Sequence, residues 1–171
     1  MVSGSIGAVL GLVGGALRQQ AYVVTDIGEA KESMRRSFGC AKFFEFESTA
    51  PWELRGRTVQ CDLAVAFGRS GNLQVELIQP LRGEGVHFEL LEARGAGLHH
   101  LGFYVDDLGG YDEVAAACAG HGFPPVMSGG LGPSRFCYLD TIETLGVYVE
   151  LISDPGNSMM KMMPWWDDPV R

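Results

Sequence analysis

The chain is short of positive charge. Its 171 residues carry 13 Lys and Arg against 21 Asp and Glu, a net charge of −8. A surface that acidic repels phosphate backbones and anionic headgroups, which argues against nucleic acid and lipid surfaces as partners. No C-x-x-C pair is present: Cys40, Cys61, Cys118 and Cys137 lie far apart. That spacing argues against a disulfide framework and a thiolate zinc site, and it predicts reduced thiols in a cytoplasmic protein. Long hydrophobic runs are missing too. The longest ones are broken by glycine and are too short to span a bilayer. The apolar opening segment has no basic n-region, since the first positive side chain is Arg18, so it reads as an extension rather than a signal peptide. What the chain does have is a hydrophobic fraction of 46%, enough for one compact domain or two small fused modules.

The two halves look alike. Gln19-Gln-Ala-Tyr-Val-Val-Thr-Asp-Ile-Gly28 matches His100-Leu-Gly-Phe-Tyr-Val-Asp-Asp-Leu-Gly109, with an offset of 81. Each segment opens as an apolar strand and ends in an Asp-containing turn. Each is followed by apolar residues at helical spacing. The first helix is predicted from about Glu29 to Phe38, before Gly39, and the second from Tyr111 to Ala119, before Gly120. A glycine there suits the left-handed residue that ends a helix. The halves close on the same word, Val75-Glu-Leu-Ile78 and Val149-Glu-Leu-Ile152. Phe43–Glu47, Val59–Phe67 and Leu73–Ile78 read as strands of the first half, with a hairpin-type turn over Gly68-Arg-Ser-Gly71-Asn72. Arg135–Asp140 and Val147–Ile152 read as strands of the second, where a third strand is hard to place. The predicted fold is α+β: two tandem βαβββ modules forming a half-open mixed β-sheet cleft, with helices outside. The expected divisions are an extension over 1–17, modules over 18–79 and 98–153, a linker over 80–97 with a short helix at Val86–Ala93, and a tail over 154–171.

The repeat puts four polar residues at equivalent positions. Gln19 and His100 lie in the first strand of each half; Glu76 and Glu150 lie in the last. A carboxylate between Val, Leu and Ile is costly to bury without a partner. About a pseudo-twofold axis the four side chains converge, and two facing carboxylates would be relieved by a divalent cation. One imidazole, one amide oxygen and two carboxylates suit Zn, Ni, Co, Mn or Fe. Alternation alone leaves a second reading open, in which both glutamates face solvent and His100 is a satisfied core histidine. Strict alternation sends His99 to the opposite face, and His87 and His121 fall in loop-like stretches without partners.

These residues resemble the vicinal oxygen chelate superfamily, which includes glyoxalase I, methylmalonyl-CoA epimerase, extradiol dioxygenases and bleomycin-resistance proteins. The resemblance covers Arg18 to Ser153. Its strongest words are Leu98-His-His-Leu-Gly-Phe-Tyr-Val-Asp-Asp-Leu108, the two Val-Glu-Leu-Ile strands, and Arg135-Phe-Cys-Tyr-Leu-Asp-Thr141 with Leu145-Gly146. It implies one divalent metal held by Gln19, Glu76, His100 and Glu150. Gln19 stands where epimerases and extradiol dioxygenases have histidine, which resembles a glyoxalase I variant with a Gln, Glu, His, Glu set. The missing histidine argues against a ring-cleaving dioxygenase, whose iron wants two histidines and a carboxylate. The continuation Ile78-Gln-Pro-Leu81 is closer to the epimerase pattern.

The implied activity is a lyase or isomerase of the glyoxalase I or epimerase type. It moves a proton at a carbon next to the carbonyl of a small-molecule substrate, through a metal-stabilised enediolate with Glu76 or Glu150 as base. A non-catalytic small-molecule binder on the same fold is the alternative. Phe43, Phe44, Phe46, Trp52 and Phe136 are candidates for an apolar pocket wall, or for ordinary core. Arg135 either meets an anionic group or is a surface charge. The Met- and Trp-rich tail either caps the pocket or is buried in a homodimer.

Overall fold

The computed structural model describes residues 5–167. The first half comprises α1 (Ile6–Leu12), β1 (Leu17–Val23), α2 (Ile27–Phe38), β2 (Phe43–Ser48), β3 (Pro51–Leu54), β4 (Arg57–Ser70) and β5 (Leu73–Gly83). The second comprises α3 (Val86–Arg94), β6 (Gly97–Tyr104), α4 (Tyr111–Gly120), β7 (Pro125–Leu131), β8 (Ser134–Leu139), α5 (Ile142–Leu145), β9 (Tyr148–Ser153) and α6 (Ser158–Lys161). None of these helices is long and apolar enough to cross a membrane.

Local chemistry sets the element ends. The Asp26 side chain accepts from Glu29 N at 2.9 Å and caps α2, satisfying one of the free N–H groups of its first turn. Gly39 ends the helix with φ 68°, a conformation that costs glycine nothing. The end of α4 differs from expectation. Gly120 stays helical and the positive φ falls on Gly122, at 90°. The strand that was hard to place is β7, whose Gly129-Gly130 pair hides its strand character. Between β8 and β9 the chain forms the short helix α5, closed by Gly146 with φ 76°.

One sheet curls around an axis. From β4 the pairing runs to β5, β1, β6, β9, β8, β7 and β3, and β3 returns to β4. The side of the cleft expected to stand open is bridged by two residue pairs, Glu53↔Ser128 and Leu54↔Met127. β2 and β3 form one arm against β4 in a single continuous register, from Phe43↔Gly68 to Leu54↔Arg57.

The two modules meet through β1 and β6, and each pairs its first strand in parallel with its last. Gln19 lies opposite Gln74, two residues before Glu76, and His100 lies opposite Tyr148, two residues before Glu150. That shared register lays the repeated Val-Glu-Leu-Ile strands symmetrically about the β1–β6 seam.

Alternation then sorts the side chains. Ala21, Leu63, Val65, Phe67, Ile78, Tyr138 and Tyr148 fill the interior. Val149 and Leu151 face outward under α1 and α4, and Val75 and Leu77 face outward under α2. In the opening segment Ile6–Leu12 is helical, and Val9, Val13 and Ala16 are buried. In the described part of the tail, Met159 and Met163 are buried, and Met160, Trp165 and Trp166 pack on the same interior cluster.

Candidate metal centre

Inside the curled sheet, β1, β5, β6 and β9 bring Gln19, Glu76, His100 and Glu150 together. His100 Nε2 lies 2.9 Å from Gln19 Oε1, 3.0 Å from Glu150 Oε2 and 3.3 Å from Glu76 Oε2. One potential ligand atom from each of Glu76, His100 and Glu150 falls within 4.8 Å of the others. All four side chains are buried; Glu76 and Glu150 are only 8% and 4% exposed. The solvent-facing reading of the glutamates is thereby ruled out. Glycine makes the approach of Gln19 feasible. Gly102 pairs with both Gln19 and Glu150, and a Cβ there would lie 2.5 Å from Gln19 Oε1.

Three of these groups have further partners behind them. Gln19 Nε2 donates to Gln74 Oε1 at 2.8 Å, and the Tyr104 hydroxyl donates to the same oxygen at 3.2 Å. The Tyr138 hydroxyl lies 3.1 Å from His87 Nε2 and interacts with Glu150. Burial pushes the Tyr138 hydroxyl well above the usual tyrosine range, with the two carboxylates adding to it. His100 Nδ1 faces His99 Nδ1 at 2.9 Å.

These contacts correct three readings. His99 does not point away, because a β-bulge breaks the alternation: Ala21 pairs with His100 while Tyr22 pairs with Leu98. The extra residue of a bulge re-aims its side chain, and both histidines turn inward. His87 lies within the short helix expected at Val86–Ala93 rather than in a loop-like stretch. It lies in α3, fully buried, stacked on His99 at 4.6 Å. Arg135 is outside the pocket, pairing with Asp112 at 3.0 Å and sitting 4.4 Å over the Tyr111 ring. Gln74 and Tyr138 lay in plain sight, since each is two residues from a residue expected to face inward. His87 had no sequence signal.

Without a cation the charges are in tension. Burial lowers the His100 pKa, but Glu150 and Glu76 outweigh it and lift the imidazole to about 9. Burial raises the Glu76 carboxyl, against the pull of His100. Burial drives His87 down to about 3 and His99 well below the usual histidine range, so both are neutral. Two buried carboxylates with one imidazole between them, and an amide oxygen beside it, fit a divalent first-row ion.

The cavity at this centre encloses about 40 Å³ and is lined by Phe46, Trp52, Phe136 and Met159 beside Gln19, Glu76 and Glu150. Phe44 is set back from it, packing its ring on Phe46 at 5.8 Å, and Phe43 packs on the outer cluster under α2.

Residues 18–138 match the Glyoxalase/Bleomycin resistance protein/Dioxygenase superfamily, and the chain belongs to it. The uncharacterized protein YqjC of Bacillus subtilis (strain 168) is 32% identical over 98 residues, 54% of this chain and 66% of that protein. The chain thus spans just under two thirds of that relative. Among solved structures, the methylmalonyl-CoA epimerase from Mycobacterium tuberculosis aligns with a TM-score of 0.62 and 21% identity over 81% of this chain and 87% of its own. The Streptomyces coelicolor methylmalonyl-CoA epimerase in complex with 2-nitronate-propionyl-CoA gives 0.56 and 21% over 81% and 96%. A hypothetical protein from Bacillus halodurans C-125 gives 0.55 and 21% over 80% and 92%. At such identities the likeness is one of fold.

Proposed function

We propose that this member of the superfamily is a divalent-metal-dependent isomerase of the epimerase type, moving a proton at the carbon next to a thioester carbonyl. The observation that carries the reading is the buried set of Glu76, His100 and Glu150, with Gln19 Oε1 beside the imidazole. Gln19, Glu76, His100 and Glu150 would hold the ion, which supplies a Lewis acid that polarises the substrate carbonyl and acidifies the neighbouring C–H.

The two carboxylates divide the remaining work. Glu150 has the closer contact to His100, at 3.0 Å, and interacts with the Tyr138 hydroxyl. Glu76 has only the longer contact to His100, at 3.3 Å, and a slightly more exposed side chain. Glu76 is therefore the carboxylate free to swing to the substrate carbon and take its proton. For inversion, Glu150, from the other half of the repeat, would enter the step carrying a proton and give it to the opposite face of the carbon, while Glu76 keeps the proton that it took. The thioester class is supported by the epimerase-like continuation after Glu76 and by the fold neighbours crystallised with acyl-CoA ligands.

A cavity of about 40 Å³ holds an ion and a water or two, whereas organic ligands occupy about 300–1,000 Å³. Substrate binding thus requires Met159 and the tail to withdraw. Four free, buried cysteines support a reducing, cytoplasmic setting.

The test is solvent exchange. Protein loaded with Zn, Co, Ni or Mn is incubated in D2O with an acyl-CoA branched at the carbon next to the thioester. Deuterium incorporation that disappears on chelation is the expected result. Incorporation only with a hemithioacetal or a 2-oxo acid moves the reading to a glyoxalase-type lyase. Absence of incorporation with every substrate leaves the non-catalytic binder.

A further inference from the structure

The contact between the two neighbouring histidines has a direction. His100 Nε2 faces three oxygen acceptors, from Gln19, Glu150 and Glu76. Its other nitrogen, Nδ1, has His99 Nδ1 at 2.9 Å. Two ring nitrogens at that distance share one proton, so one donates and the other accepts. When His100 Nε2 gives its lone pair to a cation, the ring proton is on Nδ1 and His99 Nδ1 must accept it. His99 then carries its own proton on Nε2.

The other ring nitrogen of His99 bears on this direction. His99 Nε2 is buried without a hydrogen-bond partner at normal geometry, and the Val86 backbone interacts with the ring as an acceptor. A buried donor so poorly satisfied is costly and calls for a reason. Here the reason is that the ring cannot turn to satisfy Nε2 without taking Nδ1 from His100. The ring is also clamped, stacked on His87 at 4.6 Å and 14° and packed on Tyr148 at 5.1 Å. Only the bulge at His99 turns this side chain inward at all.

We infer that His99 is a positioning residue for the metal centre: its bulge-presented Nδ1 holds the His100 proton on Nδ1 and keeps His100 Nε2 directed at the cation. Partners behind a ligating histidine fix its tautomer and ring orientation, and losing one typically costs 10–100-fold in metal affinity. The inference rests on the metal reading proposed above.

The test compares wild type with His99→Phe and His99→Asn by zinc titration, urea denaturation and long-range ¹⁵N–¹H spectra of the histidine rings. Phe keeps the stacking and removes the acceptor. Its zinc affinity is expected to fall about 10–100-fold while metal-free stability holds, because the poorly satisfied donor goes as well. Asn returns an acceptor near the Nδ1 position and recovers part of the affinity. In zinc-loaded wild type, His100 is expected to be protonated on Nδ1 and His99 on Nε2. Unchanged affinity in His99→Phe, or the reverse tautomers in wild type, overturns the inference while leaving the metal reading intact. Should His99→Phe not fold, the Asn variant and the wild-type spectra decide. A wild type that binds no zinc overturns both.

Discussion

The two halves contribute equivalent strands but hold their ligands differently. In the second half, His100 is backed by His99 and Glu150 by Tyr138. In the first half, Gln19 is tethered through its amide to Gln74, and Glu76 meets only His100, at the longest of the three contacts. The difference turns a symmetric repeat into an asymmetric site. The second half anchors the ion, and the first half supplies the group that moves. A repeat thus fixes where ligands converge, while the residues behind them decide which one works.

The sharpest way to break that comparison is to exchange the two glutamates in turn. Glu76→Gln is expected to lower exchange of the substrate proton by about 10²–10⁴-fold while losing less metal affinity than the matching change in the second half. Equal loss of metal in both variants would dissolve the asymmetry. Glu150→Gln removes an anchored ligand, and zinc affinity, read by calorimetry, should fall beyond the about 100-fold that supporting residues cost.

The metal-free protein carries a pH signature of the same tension. His100 is lifted from 6.5 to about 9, so its contribution to stability is full below the unfolded value and fades as pH rises through about 9. Glu76, raised from 4.5 by burial, acts in the same direction, since its neutral form is favoured in the fold. Urea denaturation of chelated protein between pH 6 and 9.5 should show falling stability. Zinc affinity should rise over the same interval, because the ion displaces the His100 proton. Stability that climbs with pH in the chelated protein contradicts this balance.

The smallest effect concerns the tether in the first half. Gln74→Leu leaves Gln19 Nε2 and the Tyr104 hydroxyl without their acceptor, and should destabilise the fold by about 1–3 kcal/mol. A neutral result means that water or Met160 replaces the amide.

Much of this was legible in the chain, because repetition and alternation are periodic signals. The two Val-Glu-Leu-Ile strands and the matched openings gave the curled sheet and brought Gln19, Glu76, His100 and Glu150 together. What escaped was aperiodic. The bulge that turns His99 inward adds one residue to β6 and leaves no compositional mark. His87 reaches the site from α3, in the stretch between the repeats, by stacking on His99. Arg135 is the second residue of β8, and the next residue faces the pocket, so alternation places Arg135 outside, where Asp112 and Tyr111 hold it. Phe44 shares the inward face with Phe46 but lies one step too far along β2 to reach the cavity.

The most direct test of the central claim is a zinc titration of chelator-stripped wild-type protein, followed by calorimetry. The account predicts saturation at one ion per chain, with protons released as His100 binds the metal. Absence of saturable binding, or binding without proton release, would contradict it.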